Sequence, residues 1–251
     1  GPFEMDAAFE STGLDSLSLI SLARRLSAKA GRGVSVADLY DHPTPQLLLD
    51  SLTGSPQAPL VRPKALCLHG FRSNRDAFAA AAAPYVSAAA GLVEWIFVNS
   101  PRRATGPADP KVPIEEAYEW WGQCGGSFET GWMGPAFDGI DETLPMVKRM
   151  APVGVVGFSQ GAAVASLVDC AWVALFSAVV PPGLHDRATP SFHCYDPAEE
   201  YAEQMEEVAV RFSSKEVCTH HAGHSIPKDD ELVRRFAAFV TAACAAARGA
   251  P

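Results

Sequence analysis

Gly157-Phe158-Ser159-Gln160-Gly161 follows the β-branched run Val153-Gly154-Val155-Val156 and precedes Ala162-Ala163-Val164-Ala165-Ser166-Leu167-Val168. The first flank reads as a buried strand and the second as a helix. A serine between two glycines at such a junction reads as a nucleophile elbow: the turn strains the serine backbone, and the glycines let strand and helix approach closely. A buried serine at a tight turn is the alternative reading of the pentapeptide.

A serine hydroxyl at neutral pH needs a base to take its proton and a third group to orient that base. In folds that carry this elbow, the acid and then the histidine follow the serine along the chain. His224, in Gly223-His224-Ser225-Ile226-Pro227, falls on a loop after the strand-like Glu216-Val217-Cys218-Thr219-His220 and before a helix. It is therefore the expected base. His220 and His221 read as part of that strand, and His193 as a core histidine inside Ser191-Phe192-His193-Cys194-Tyr195. Asp196, first past that strand and followed by Pro197, is the expected acid; a helix N-cap is its other reading. Asp169 and Asp186 are weaker candidates. The oxyanion needs two backbone N–H donors. One is expected from Gln160, the other from Phe71, with Arg72 its neighbour, in the loop after Ala65-Leu66-Cys67-Leu68. His69 precedes the serine and is expected to pin that loop by hydrogen bonding. Cys218, His220, His221 and His224 lie close enough in sequence to raise a metal site, but the spacing fits no usual zinc pattern. No metal is expected.

These residues resemble the small FSH-type serine hydrolases of the α/β-hydrolase superfamily. The likeness runs through Leu66-Cys67-Leu68-His69-Gly70-Phe71 with Ser73-Asn74, Phe97-Val98-Asn99-Ser100-Pro101, Trp120-Trp121, Asp138-Gly139-Ile140, the elbow, and Gly223-His224-Ser225-Ile226-Pro227. It covers about residues 62–245. It implies a compact, largely lidless enzyme that hydrolyses esters or thioesters and needs no cofactor for that chemistry. Some members resemble release enzymes of polyketide assembly. Leu184 to Pro190 is shorter and more polar than the family's pattern.

The front of the chain carries a second signal. Phe9-Glu10-Ser11-Thr12-Gly13-Leu14-Asp15-Ser16-Leu17 leads into apolar positions Leu17, Ile20, Ala23 and Leu26 at helical spacing. Asp41-His42-Pro43-Thr44-Pro45 then precedes Leu47-Leu48-Leu49 and Leu52. This segment resembles an acyl carrier protein, which implies 4'-phosphopantetheine attachment at Ser16; an N-cap is the plain reading of Asp15-Ser16. Few residues precede the motif, and Gly1-Pro2 reads as an expression remnant, so a partial carrier is expected that packs on the hydrolase or on another chain.

The expected division is a carrier-like segment at 1–52, a Pro/Gly/Ser linker at 53–63 and the hydrolase at 64–251. Strands expected at 64–69, 93–99, 153–158, 172–180, 191–195 and 215–220 alternate with helices at 75–90, 138–150, 160–168, 198–210 and 229–247. Such alternation predicts an α/β fold, a mostly parallel sheet with helices on both faces, preceded by a small helical fragment. Pro84 is expected to end or kink its helix. In the long irregular stretch from Arg102 to Phe137, Trp120, Trp121 and Trp132 fit an acyl pocket and a core plug equally well.

A net charge of −9 argues against nucleic acid and anionic membranes as partners. The longest charge-free apolar run, Cys170 to Val180, is too short to span a bilayer. Six cysteines without framework spacing read as reduced, in a cytoplasmic setting. The expected activity is release of an acyl or polyketide chain from a carrier-protein thioester, in cis or in trans, beside parent synthase modules. A broad esterase on free acyl esters and a non-catalytic docking module are the rivals.

Overall fold

The computed structural model describes residue 9 and residues 16–53, 62–105, 114–122 and 137–249. Trp132, Asp15, Gly1-Pro2 and most of the expected linker lie outside the described residues. The chain divides into two compact units, Gly1–Arg62 and Pro63–Pro251.

The first unit holds α1 (Ser16–Ala30), α2 (Val36–Asp41) and α3 (Pro45–Thr53). Leu19, Ala23, Val34, Leu39 and Leu48 are buried together with Phe9. The buried stripe of α1 runs through Leu19 and Ala23, with Leu22 and Leu26 packed against it, whereas Ile20 is 49% exposed. The sequence reading thus placed the apolar face one position off at Ile20. Positions 19, 22, 23 and 26 are the i, i+3, i+4, i+7 set that shares one helix face. A capping box starts α2: the Ser35 hydroxyl accepts from Asp38 N–H at 3.1 Å, and Ser35 N–H donates to Asp38 Oδ2 at 2.6 Å. Ser16 opens α1.

The second unit is built on β1 (Lys64–Leu68), β2 (Glu94–Val98), β3 (Gly154–Phe158), β4 (Trp172–Phe176), β5 (Ser191–Tyr195) and β6 (Lys215–Thr219). They form one sheet in the order β2-β1-β3-β4-β5-β6, and every pair is parallel. Among the described residues, α4 (Arg75–Ala88), α5 (Ile140–Arg149), α6 (Gln160–Ser166) and α7 (Ala202–Val210) lie between strands, and α8 (Asp230–Gly249) follows β6. The strand period of two sorts the side chains into two cores. Ala65, Cys67, Trp172, Ala174 and Phe176 join Phe78 and Tyr85 of α4 and Phe236 of α8. Leu66, Leu68, Val173 and Leu175 face the other way, onto Val147 of α5, Val164 of α6 and Val208 of α7. Both faces of the sheet are therefore covered, as a parallel sheet requires.

Most bounds lie within two residues of the sequence-based ones, and three elements call for comment. α4 continues through Pro84 to Ala88. β4 stops at Phe176, because Ser177 turns to φ +47°, a left-handed conformation that no strand continues. α7 begins at Ala202 rather than near 198, because residues 196–199 make a separate turn closed by Glu199 N–H on the Asp196 carbonyl at 3.2 Å. The last two differences carry the site.

Candidate active site

Strand order reverses direction between β1 and β3, each lying beside the other with later strands outward. Ligands of open parallel sheets collect outside the carboxyl ends at such a point. Ser159 stands there, immediately past β3, at φ +53° and ψ −116°. Its N–H donates to the Phe176 carbonyl at 2.9 Å, and its own carbonyl accepts from Ala163 N–H at 3.0 Å, so strand and helix bonds hold the strained residue from both sides. The flanking glycines are required by space. A Cβ on Gly157 would sit 2.4 Å from the Gly161 carbonyl, and one on Gly161 would sit 2.2 Å from the Leu68 carbonyl oxygen. Without side chains, the head of α6 lies directly against the end of β1.

That contact sets the β1 loop beside Gln160. His69 is fully buried, and its ring is doubly engaged: Nδ1 donates to the Gly70 carbonyl at 2.8 Å, and Nε2 accepts from Ser100 N–H at 3.2 Å. The accepting role fixes the neutral tautomer, and burial lowers the imidazole from 6.5 to about 4. His69 pins the loop as the sequence reading expected. Phe71 and Arg72 follow, Arg72 at φ +48° with its guanidinium 4.8 Å from the Phe71 ring centre. The Gln160 side chain is committed elsewhere. Its Oε1 accepts from Trp120 N–H at 2.9 Å, and its Nε2 donates to the Trp121 carbonyl at 3.2 Å. Trp120 and Trp121 are 0% and 1% exposed within the core over Leu66 and Leu68. Of the two readings open for them, the structure gives core plugs, with Trp120 Nε1 donating to the His69 carbonyl at 2.8 Å.

The acid side of the site departs from expectation. His224 Nδ1 lies 2.6 Å from Oε2 of Glu199, whose side chain is 4% exposed. The structure therefore pairs His224 with Glu199 and not with Asp196. The Asp196 carboxylate is occupied by backbone: Oδ1 accepts from Ala198 N–H at 2.9 Å and Oδ2 from Gly223 N–H at 2.8 Å. These two bonds, first the one from Ala198, hold the carboxyl below its ordinary value of 3.8. Asp196 thus ties the turn bearing Glu199 to the loop bearing His224. Its N-cap-like bond is real, but it caps an isolated turn. Glu199 was missed because the expected acid was sought at the strand end; the Asp196-Pro197-Ala198-Glu199 spacing, a turn former three residues before a glutamate, was the available signal.

The imidazole of His224 packs 5.0 Å from the ring of Phe158, the residue before Ser159, and 6.5 Å from that of Tyr201. Gly223, at φ +66°, makes the turn into it, and Tyr85 Oη donates to the Pro227 carbonyl at 2.9 Å, anchoring the loop's far end. The other histidines stay outside this arrangement. His193 is a core group bonded to Ser191 Oγ at 2.9 Å, as expected. β6 ends at Thr219, so His220 and His221 fall just past it and not within it. His220 Nδ1 accepts from Ala222 N–H at 3.1 Å, and the His221 side chain is 88% exposed. Cys218 is buried in the core, and among the described residues no three histidine, cysteine or acidic side chains are grouped to hold a metal. Among the described residues, no helix is long and apolar enough to cross a membrane.

Comparison with known proteins gives two family matches: "Serine hydrolase (FSH1)" over residues 61–177 and "Phosphopantetheine attachment site" over residues 2–52. The chain is 30% identical over 203 residues to Esterase CG5412 of Drosophila melanogaster, covering 70% of this chain and 72% of the relative. It is 28% identical over 203 residues to human Esterase OVCA2, covering 65% of this chain and 89% of the relative. Among solved structures, Arabidopsis thaliana SOBER1 superposes with a TM-score of 0.51 at 16% identity, covering 72% of this chain and 99% of that one. Esterase PE8 does so with a TM-score of 0.52 at 15% identity, covering 73% and 94%. At such identities the likeness concerns the fold.

Proposed function

The chain belongs to the FSH1 serine hydrolase family, with an α/β-hydrolase fold and a phosphopantetheine attachment domain before it, and from that premise we propose that it is a thioesterase releasing acyl chains from carrier-bound phosphopantetheine. Ser159 is the nucleophile. His224 takes the Ser159 proton at Nε2 as Oγ attacks the thioester carbonyl, while Glu199 holds the Nδ1 proton and stabilises the imidazolium. The N–H groups of Phe71 and Gln160 receive the oxyanion. As the tetrahedral centre collapses, the carbon–sulfur bond breaks and His224 returns the proton to the thiolate. Water, or a hydroxyl of the substrate, then attacks the acyl-enzyme with His224 again as base, the bond from the acyl carbon to Ser159 Oγ breaks, and His224 returns the proton to Oγ. Asp196 takes no part in proton transfer and positions the two loops that do.

Ser16, at the head of α1, is the residue proposed to carry 4'-phosphopantetheine. The 4'-phosphopantetheine would present the acyl thioester, supplying a thiol leaving group. A tether between carrier and hydrolase raises the effective concentration of the thioester to roughly millimolar. A polyketide- or fatty-acid-type synthase is the setting that combination fits.

The carrier domain in the same chain as the hydrolase carries this reading. Esterase chemistry on free acyl esters is the second reading, favoured by relatives named esterases. Parallel rates with an acyl-carrier protein, the matching acyl-pantetheine and the matching ethyl ester separate them. The proposal expects the carrier substrate to give the highest kcat/KM; equal rates on all three favour the general esterase.

A further inference from the structure

The catalytic assignment leaves one fully buried hydroxyl beside it without a role. Ser177 follows β4, is 0% exposed, and stands at φ +47°, where a non-glycine residue is strained. Its Oγ donates to Glu199 Oε1 at 3.0 Å, while Oε2 of the same carboxylate faces His224 Nδ1 at 2.6 Å. Its N–H donates to the Cys194 carbonyl at 2.9 Å, fixing the turn that aims the hydroxyl. We propose that Ser177 is a positioning residue for the reaction: it locks the Glu199 carboxylate in the orientation that holds His224. The inference rests on Glu199 being the acid of the triad.

The need for such a lock follows from the side chain. Glutamate has one more rotatable bond than aspartate, and it projects here from a short turn outside any helix. A carboxylate held at only one oxygen swings about its terminal torsion, which is broad. With Ser177 on Oε1, that torsion is set, and Oε2 stays on Nδ1. The left-handed backbone at 177 is what brings the hydroxyl round to this side of the sheet end. An extended residue there would continue β4 and aim its side chain at one of the two cores.

Substitution separates the hydroxyl from the turn. Ser177→Gly relieves the positive φ and removes the donor; Ser177→Ala removes the donor and keeps the strain. Both are expected to lower kcat roughly ten- to hundred-fold, the worth of one hydrogen bond to a charged group. KM should stay within about twofold, as expected for an interaction made in the transition state. In a Glu199→Gln background, Ser177→Gly should cost nothing further, because the group it positions is gone. The downfield proton resonance of His224 Nδ1–H should also move in Ser177→Gly. Native kcat in Ser177→Gly, with Glu199→Gln inactive, overturns the role of Ser177 and leaves Glu199 in place. Native kcat in Glu199→Gln overturns the triad reading itself. A full additional loss from Ser177→Gly in the Glu199→Gln background also overturns the role.

Discussion

Gly223 N–H reaches across from the loop after β6 to Asp196 Oδ2 at 2.8 Å, one residue before the histidine that pairs with Glu199. One aspartate therefore clasps the turn bearing Glu199 and the loop bearing His224 together, and that glutamate, three residues on, meets the imidazole. The consequence is a division of labour between two carboxylates. Glu199→Gln should lower kcat by roughly 10³–10⁴-fold with KM little changed, the scale for an orienting acid that no longer fixes the imidazole tautomer. Asp196→Asn should act mainly on stability and loop order. Steady-state kinetics on the two variants checks this; an Asp196→Asn defect as deep as that of Glu199→Gln contradicts it.

Asp196 also has a pH signature. Its carboxyl is held below 3.8 by backbone donors, so the native state prefers the ion. The resulting stability is complete above the ordinary aspartate value and disappears as pH falls through the depressed one. Denaturant titrations should find Asp196→Asn less stable than the native chain near pH 6, with the gap closing below pH 3.8. A gap that persists unchanged well below pH 3.8, where the bound carboxyl takes up its proton, removes the carboxylate from the account.

Two buried imidazoles act at higher pH. Burial lowers His69 from 6.5 to about 4 and His193 from 6.5 to about 3. Unfolded chains take up those protons first, so stability should decline as pH drops from 6.5 toward the lowered values. Each contributes at most about 1.4 kcal/mol per pH unit. His193→Gln, away from the nucleophile, should flatten the slope between pH 6 and 4 without altering kcat, as chemical denaturation and assay together would read; an unchanged slope contradicts the buried neutral state.

Gly161→Ala tests the close approach of α6 to the loop proposed to hold the oxyanion. The added methyl would stand 2.2 Å from the Leu68 carbonyl oxygen and 2.4 Å from that of His69. Both are backbone atoms, so the loop must move. The expected outcome is a loss of about 1–3 kcal/mol of stability, as for an overpacked site, together with a fall in kcat beyond that of the surface variant Arg234→Ala. Thermal melts and kinetics measure the two effects; a variant with native melting and native rate shows that the gap is wider than described.

Much of this was legible in the sequence. The alternation of Ala65 and Cys67 against Leu66 and Leu68 is the two-sided burial of a parallel strand, and the Gly157–Gly161 pattern marked the sharp strand-to-helix turn at Ser159. The reading failed where local pattern and tertiary need diverge. The apolar run after Phe176 looks like more strand, but Ser177 leaves it to face a carboxylate. Residues 198–201 look like the start of a helix, but Asp196 draws them into a separate turn. Trp120 and Trp121 suit a pocket as well as a core, and only the Gln160 clamp, a contact across some forty residues, decides between the two. Positive φ at a serine and long-range carboxylate bonds leave no periodic trace.

The most direct measurement is the rate at which a fluorophosphonate probe labels the protein, followed by peptide mass mapping. The account predicts one adduct, on the peptide containing Ser159, formed rapidly in the native chain and in Asp196→Asn, slowly in Glu199→Gln and not at all in Ser159→Ala. Label on another residue, or slowing in Asp196→Asn that matches Glu199→Gln, would contradict a nucleophile at 159 activated through His224 and Glu199.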